Sequence, residues 1–440
     1  MYDNRGSIWR KWDLHIHCPT TALNNQFEGN DIDEKWEKYL DKLGEVEDVS
    51  VLGITDYFSI DGYKKIMEFS DDQRLANFDL ILPNCELRII PVTDTQRAIN
   101  FHFIFDPEIV SDLDSLFFSK LIFEYEGEPY QCTKNDLIKL GRKYKNDSDY
   151  DENAAYREGI NQFKVGYQNI SKILKESKRL RKHCLTGVSN SNNDGTSGIQ
   201  HSSLAATREE IYRLSQLIFS SNPNDGTYFL GEGVDSKEEV IRKYGSLKPC
   251  IHGSDAHKID DLCRPDGDRF TWIKSDPTFE GLRQIIFEPK YRVNIGKLLP
   301  NEPLIKINKV DINLPVDSKL DGEDYCLKGN YEIQFSPFFT CLIGGRGTGK
   351  SSILNLIDHL ISEEKNKFFD EHNLTDADGN RLKIEDLVSL DEKSEKGDIE
   401  FLSQNEIEDF AQDQKRFTQA IYRRLLKLDS ENKINRKSVV

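Results

Sequence analysis

The 440-residue sequence has two methionines and no paired cysteines: its eight cysteines are scattered singly, without a Cys-x-x-Cys. That spacing excludes a zinc ribbon and a disulfide framework, and reads as reduced thiols of a cytoplasmic protein. An excess of positive charge is also missing. Lys and Arg number 59 against 76 Asp and Glu, and the net charge of −17 excludes a general nucleic-acid coat. A local basic groove, or metal ions that neutralise phosphates, stays compatible with it. No apolar run approaches a membrane span, and no apolar core of signal-peptide length follows the polar residues 1–11. The expectation is therefore a cytoplasmic protein with no membrane partner. Repeats and low-complexity segments are absent. What is present, 37% hydrophobic and 31% charged residues, fits a soluble globular chain of two or three domains.

Several short apolar runs carry or end in a metal-competent residue. Asp13-Leu14-His15-Ile16-His17 places two imidazoles on one face of a strand, because side chains alternate along it. Residues 51–55 lead to Asp56, residues 80–85 to Glu86, and residues 99–105 carry His102. Residues 183–188 lead to Asn190, and residues 250–254 to Asp255 and His257. Helix-like periodicity covers residues 33–43, 62–69, 166–182 and 207–219, and Asp276-Pro277-Thr278 starts a short amphipathic helix over 279–286. Strand–helix alternation predicts an α/β fold with a largely parallel sheet or barrel, in which catalytic side chains gather at strand ends. Residues 113–160 read as a solvated, mainly helical elaboration. Pro300, Pro303 and Pro315 punctuate a linker, so the expected domains are 1–300 and 301–440.

Imidazole and carboxylate together make metal sites. The candidate ligands are His15, His17, Glu86, His102, Asp255 and His257, with Asp56, His183, His201 and His252 in reserve. Arg264 and Arg269 follow the Asp255–His257 loop closely, and either can clamp phosphate. The motifs around His15–His17, Gly53–Asp56, Glu86, His102 and Gly253–His257 resemble the PHP (polymerase and histidinol phosphatase) family, over roughly residues 8–295.

That resemblance implies a distorted β/α barrel with two or three divalent metals, Mn or Zn. His15, His17, Glu86 and Asp255 would hold the first metal, and Glu86 would bridge to a second shared with His102. The remaining second-metal ligand is His183, Asn190 or His201. His257 belongs to a third position, which is weakened here: the family's Thr-Asp-His is Thr55-Asp56-Tyr57, and residues 18–25 lack a histidine. Two metals are therefore expected, with Asp56 orienting a histidine from behind. Residues 272–284 are similar to a narrower group, the TrlF-like proteins, which join a PHP domain to an ATPase, and the architecture resembles the Ppl anti-phage defence systems.

The second region carries Gly344-Gly345-Arg346-Gly347-Thr348-Gly349-Lys350-Ser351 between the β-prone run 338–343 and a helix over 352–360. Strand, glycine loop and helix in this order predict a phosphate-binding loop for ATP with Mg²⁺. Gly344, Gly345, Gly347 and Gly349 free backbone N–H groups, Lys350 reaches the β- and γ-phosphates, Ser351 ligates Mg²⁺, and Ser352 opens the helix. Residues 399–404 resemble the glutamine loop of ABC- and SMC-type ATPases, with Gln404 near the attacking water. A Walker B run ending in Asp-Glu and a Leu-Ser-Gly-Gly motif are not found after residue 351, so an incomplete ABC-like domain is expected, unable to hydrolyse ATP by itself. The function expected is a metal-dependent phosphoesterase, a nuclease, controlled by an attached ATPase module that pairs into homo-oligomers. Its substrate is a nucleic acid or nucleotide phosphoester, and its context is phage defence. A small-molecule phosphomonoesterase and a nucleotide-sensing assembly protein with a degenerate barrel are the alternatives.

Overall fold

A strand that is apolar at consecutive positions needs cover on both faces, and the sheet of the computed structural model provides it by curling on itself. Residues 5–361, 368–393, 399, 401–402, 412–413, 415 and 418 are described. They form two compact units, Met1–Asn301 and Glu302–Val440.

The first unit is built on a ten-stranded sheet. Its strands are β1 (Trp9–His17), β2 (Val49–Tyr57), β3 (Leu80–Ile90), β4 (Ile99–Phe105), β5 (Cys184–Ser189), β6 (Leu217–Phe219), β7 (Cys250–Ile251), β8 (Phe270–Lys274) and β9 (Val293–Gly296). A two-residue strand, Val165–Gly166, adds to β3. The path runs β7-β6-β5-β4-β3-β2-β1-β8-β9. Strands β1, β2 and β3 are parallel, as are β5, β6 and β7, whereas β4 is antiparallel to both its neighbours. Beyond β7 the chain returns to β1: Ile16 bridges Ala256, and the Asp255 N–H donates to the His15 carbonyl at 2.8 Å. The result is a mixed α/β unit with a nearly closed barrel sheet.

One end of that barrel is filled with apolar side chains, at least one from each of the first eight strands. Trp12, Leu14, Val51, Leu82, Ile104, Leu185, Leu217, Ile251 and Ile273 form one cluster with Phe279, Leu282 and Ile285. Phe279 and Leu282 come from the helix Phe279–Gln284, which Thr278 caps by accepting from the Gly281 N–H at 2.9 Å. Two residues further along β3 and β4 the same inward face becomes polar, at Asn84, Glu86 and His102. The register of β1 against β2 shifts between Asp13 and Ile16. Leu14 therefore meets the apolar layer while His15 and His17 meet the polar one.

Some elements differ from expectation. The helical pattern over 207–219 is two elements: the helix His201–Leu214 ends early, and Leu217–Phe219 is the barrel strand β6. Residues 166–182 break at Ser177 into Tyr167–Glu176 and Lys178–Lys182, because the Ser177 Oγ accepts from the Leu180 N–H and starts a second helix. Residues 113–160 hold the helices Lys134–Lys145 and Glu152–Gln162, and also a hairpin, Ile122–Tyr125 with Glu128–Gln131.

In the second unit β10 (Lys306–Leu314) lies between β11 (Gly329–Gln334) and β12 (Val388–Lys393), antiparallel to both. Val310, Ile312 and Leu314 share a core with Leu356, Ile357 and Ile361 of the helix Lys350–Ile361.

Candidate metal centre

The inward polar layer brings together the residues expected as first-metal ligands. His15 Nε2 lies 3.2 Å from Glu86 Oε2 and 3.2 Å from Asp255 Oδ1. His17 Nε2 lies 3.6 Å from the same Glu86 oxygen and 3.5 Å from the same Asp255 oxygen. His257 Nε2 approaches Asp255 Oδ1 at 3.4 Å, and its ring stacks on His17 with centroids 4.0 Å apart. Glu86 and His102 face each other directly across the antiparallel β3–β4 ladder. The reversed direction of β4 thus puts a mid-strand histidine at the centre.

The surrounding residues fix these side chains. Asn84 donates its Nδ2 to the Leu14 carbonyl (2.8 Å) and to Thr55 Oγ1 (3.0 Å), so its Oδ1 can only accept, and His102 Nδ1, 3.3 Å away, is the donor. His102 Nε2 is left as a bare lone pair facing the centre. Burial, then the nearby His15, pushes the His102 pKa down to about 3, so the ring is neutral. His17 Nδ1 contacts Thr21 Oγ1 at 3.2 Å. Asp13 accepts from the His15 N–H (3.2 Å) and the Ser254 N–H (3.1 Å), pinning the loop that carries Asp255 to β1. That approach requires Gly253, where a Cβ would stand 2.6 Å from His15 Cβ. Asp255 itself adopts a positive φ of 48°.

Electrostatically the centre calls for a cation. Burial would raise the Glu86 carboxyl, but Arg88, then His15 and His17, hold it well below the usual carboxylate range. Burial opposes charge on His15, yet Asp255 and Glu86 outweigh it and lift its pKa to about 9. Two carboxylates pointed at one spot thus retain a proton there, and His17 Nε2 is buried without a hydrogen-bond partner. Two overlapping sets have ligand atoms within 4.8 Å of one another: His15, His17 and Asp255, and His15, Glu86 and His102. Two anionic and several imidazole donors suit a divalent ion.

Other candidates lie elsewhere. His183 is at the far end of the barrel: Phe105 pairs with Cys184 but His102 with Gly187, three residues or about 10 Å along the strand. Its Nδ1 sits 2.9 Å from Asp106 and 3.9 Å from Glu108. Asn190 Oδ1 accepts from the Tyr212 hydroxyl at 2.5 Å. The side chain of His201 lies outside the described residues.

Among the described residues Asp56 hydrogen-bonds to no histidine, because alternation along β2 turns it away from Thr55 and Tyr57. It accepts from the Gly62 N–H (2.5 Å) and Cys18 Sγ (3.6 Å). Thr21 takes the orienting place beside His17 instead. Arg264 is exposed and forms no ion pair among the described residues. Arg269, also exposed, donates to the Asp266 carbonyl and lines a cavity of about 290 Å³ with Asn222, Thr227 and Pro249. His252 neighbours the centre and is pushed down to about 4 by burial and then by Arg269. Asn84 and Arg88 are not among the residues expected from the sequence. Both sit two residues from Glu86 on β3, so period-two spacing puts all three on one face.

In the second unit Lys350 Nζ donates to the carbonyls of Gly344 (2.7 Å) and Gly345 (2.6 Å), and the helix begins at Lys350, ahead of Ser351 and Ser352. Gly347 and Gly349 have φ of 81° and 87°. The expected strand over 338–343 is irregular backbone, with Phe339 78% and Ile343 89% exposed. Among the described residues no strand pairs with it, and a lone strand has no ladder to hold it. Contrary to expectation, an apolar run ending in Asp-Glu does exist, Leu387–Leu390 before Asp391 and Glu392. It belongs to β12, which is antiparallel to β10. Phe401 and Leu402 are irregular, and Gln404 lies outside the described residues.

No protein-family model matches the chain, and no curated protein does. Among solved structures, it is similar to a Bifidobacterium adolescentis protein provisionally described as a metal-dependent phosphoesterase, at 11% identity and a TM-score of 0.31, over 63% of this chain and 96% of that one. A likeness that loose bears no weight, so the functional reading stands on the centre itself.

Proposed function

We propose that the first unit is a metal-dependent phosphoric ester hydrolase. The observation that carries this is the convergence of His15, His17, Glu86 and Asp255 on one point at 3.2–3.6 Å, in a polar layer above an apolar plug. These four residues would hold a divalent ion, Mn²⁺ or Zn²⁺, with His102 and His257 beside it. When bound, such an ion supplies acidified water and electrophilic pull on a phosphoryl oxygen. The protein's own groups do the positioning. Asn84 fixes the His102 tautomer, Asp13 anchors the Asp255 loop, and the stacked rings of Tyr57, His17 and His257 wall one side.

The finer reading is a nuclease regulated by an ABC-like module that binds ATP with Mg²⁺ at Gly344–Ser352, works as a homo-oligomer and acts in phage defence. Its support is the sequence resemblance of residues 272–284 and the Gly344–Ser351 motif. The net charge of −17 favours a second reading, a phosphomonoesterase of small substrates, since a polyanion would be repelled. A hydrolysis panel of DNA, RNA and nucleoside monophosphates, each with Mn²⁺, Zn²⁺ or Mg²⁺, separates them. Cleavage of polymers supports the nuclease, cleavage of monophosphates alone supports the second reading, and no hydrolysis with any metal contradicts both. If Lys350→Ala changes neither ATP binding nor hydrolysis, the regulatory reading is wrong.

A further inference from the structure

Glu86 is the carboxylate best placed to join two metal ions, yet its two oxygens have different neighbours. Oε2 faces His15 and His17, at 3.2 and 3.6 Å. Oε1 lies 3.2 Å from Arg88 Nη2. The same guanidinium donates from Nη2 to the Tyr57 hydroxyl at 3.3 Å and from Nη1 to Asn100 Oδ1, and its carbon lies 5.1 Å from the centre of the Tyr57 ring. A carboxylate, a hydroxyl, an amide and a ring face therefore hold the fork, and its side chain is still 22% exposed. Two of its five N–H groups hydrogen-bond, to Tyr57 and Asn100, while the contact with Glu86 Oε1 is an ion pair without a hydrogen bond. The Nε–H and one Nη1–H have no acceptor among the described residues.

The ligands left for a second ion are few. Glu86 and His102 remain; His257 lies beside Asp255 and stacks on His17, outside their group, and His15, the third member of that group, has one lone pair at Nε2 and already belongs to the set with His17 and Asp255. The Phe219 ring covers His102, with centroids 4.1 Å apart. Asn190 is committed to Tyr212, and His183 to Asp106. A divalent ion wants three or four protein ligands. At this centre, with His15 counted in the first set, no third described ligand completes a second set around Glu86 and His102.

We propose that Arg88 is a fixed cation of the centre. It replaces a second metal ion as the counter-charge of Glu86 and presents its Nε–H and remaining Nη1–H to a phosphoryl oxygen of the substrate. The guanidinium fork matches phosphate geometry, carries a permanent charge and is pre-aligned by Tyr57 and Asn100. On this view the centre takes one ion per chain and binds a phosphoryl group between that ion and Arg88. This rests on reading the centre as that of a phosphoesterase, and the test keeps the two apart.

The test combines metal counting with binding of inorganic phosphate. Full-length protein is loaded with excess Mn²⁺, freed of unbound metal and analysed for Mn per chain. Phosphate is then titrated calorimetrically into protein carrying one equivalent of Mn²⁺. The expected results are one retained ion in the wild type and phosphate affinity at least tenfold weaker in Arg88→Met with that ion kept. Arg88→Lys, with charge but no fork, should fall between them. Two tightly retained ions in the wild type overturn the proposal, as does unchanged phosphate affinity in Arg88→Met. Wild-type protein that retains no ion overturns the metal-centre reading and the proposal with it. Should Arg88→Met fail to fold, the wild-type count and Arg88→Lys decide the matter.

Discussion

Replacing Glu86 by glutamine keeps the shape of the side chain and removes only its charge. The carboxylate is 1% exposed and lies between His15, His17 and Arg88, so the change opens no cavity and strikes the metal position directly. Partners that merely orient metal ligands are worth about 10- to 100-fold in affinity, so losing an anionic ligand should cost roughly 100-fold or more. At a Mn²⁺ concentration about 1,000 times the wild-type Kd, bound metal stabilises the fold by about 4 kcal/mol. The variant, then at only about 10 times its own Kd, gains about 1.4 kcal/mol, a difference of about 2.7 kcal/mol. Urea unfolding of both proteins with and without Mn²⁺ reads this difference. Each protein is compared with its own metal-free form, so any change in intrinsic stability drops out. Equal metal-dependent stabilisation in both proteins would refute the assignment of Glu86 as a ligand.

Three further outcomes are expected. Gly253→Ala places a Cβ within 2.6 Å of His15 Cβ and 2.8 Å of Asp13 Oδ1, so Mn²⁺ retention should fall sharply at a stability cost of about 1–3 kcal/mol; retention equal to wild type counts against the tight loop. His183→Ala should leave metal content unchanged while costing about 1 kcal/mol in denaturation, and a loss of metal would show that His183 is a ligand after all. Lys248 is 2% exposed, and burial, then Arg213, lowers its pKa from 10.5 to about 8. Between those values the unfolded chain keeps a proton that the folded chain releases, so stability from this group rises with pH through that window and is lowest below about 8. Lys248→Met should therefore stabilise the protein at pH 7 by about 1–3 kcal/mol and flatten the alkaline rise, and a destabilised variant at pH 7 contradicts this.

The centre was largely legible because strand alternation is a strict rule. His15 and His17 share a face, and Glu86 and His102 fall at strand positions that the barrel brings opposite each other. Direction was less legible. Nothing in residues 99–105 says that β4 runs antiparallel, yet only that reversal sets His102 against Glu86 and sends His183 to the other end. Residues 207–219 show why β6 is hard to foresee: Leu217–Phe219 continue a helical period, and only their pairing with β5 and β7 makes them a strand. The hairpin at Ile122–Gln131 had a local signal in Glu126-Gly127, both with positive φ, inside a segment whose charge suggested helix. Arg88 looked like any arginine near a strand end, although Asn84-x-Glu86-x-Arg88 carries the same period-two signature as the histidine pair.

The most direct test of the account is the anomalous scattering of Mn²⁺ in crystals of the loaded protein. A peak bounded by His15 Nε2, His17 Nε2, Glu86 Oε2 and Asp255 Oδ1 is predicted, and it should vanish in His17→Ala. Loaded crystals with no peak among those four atoms, or a peak that survives in His17→Ala, would contradict it.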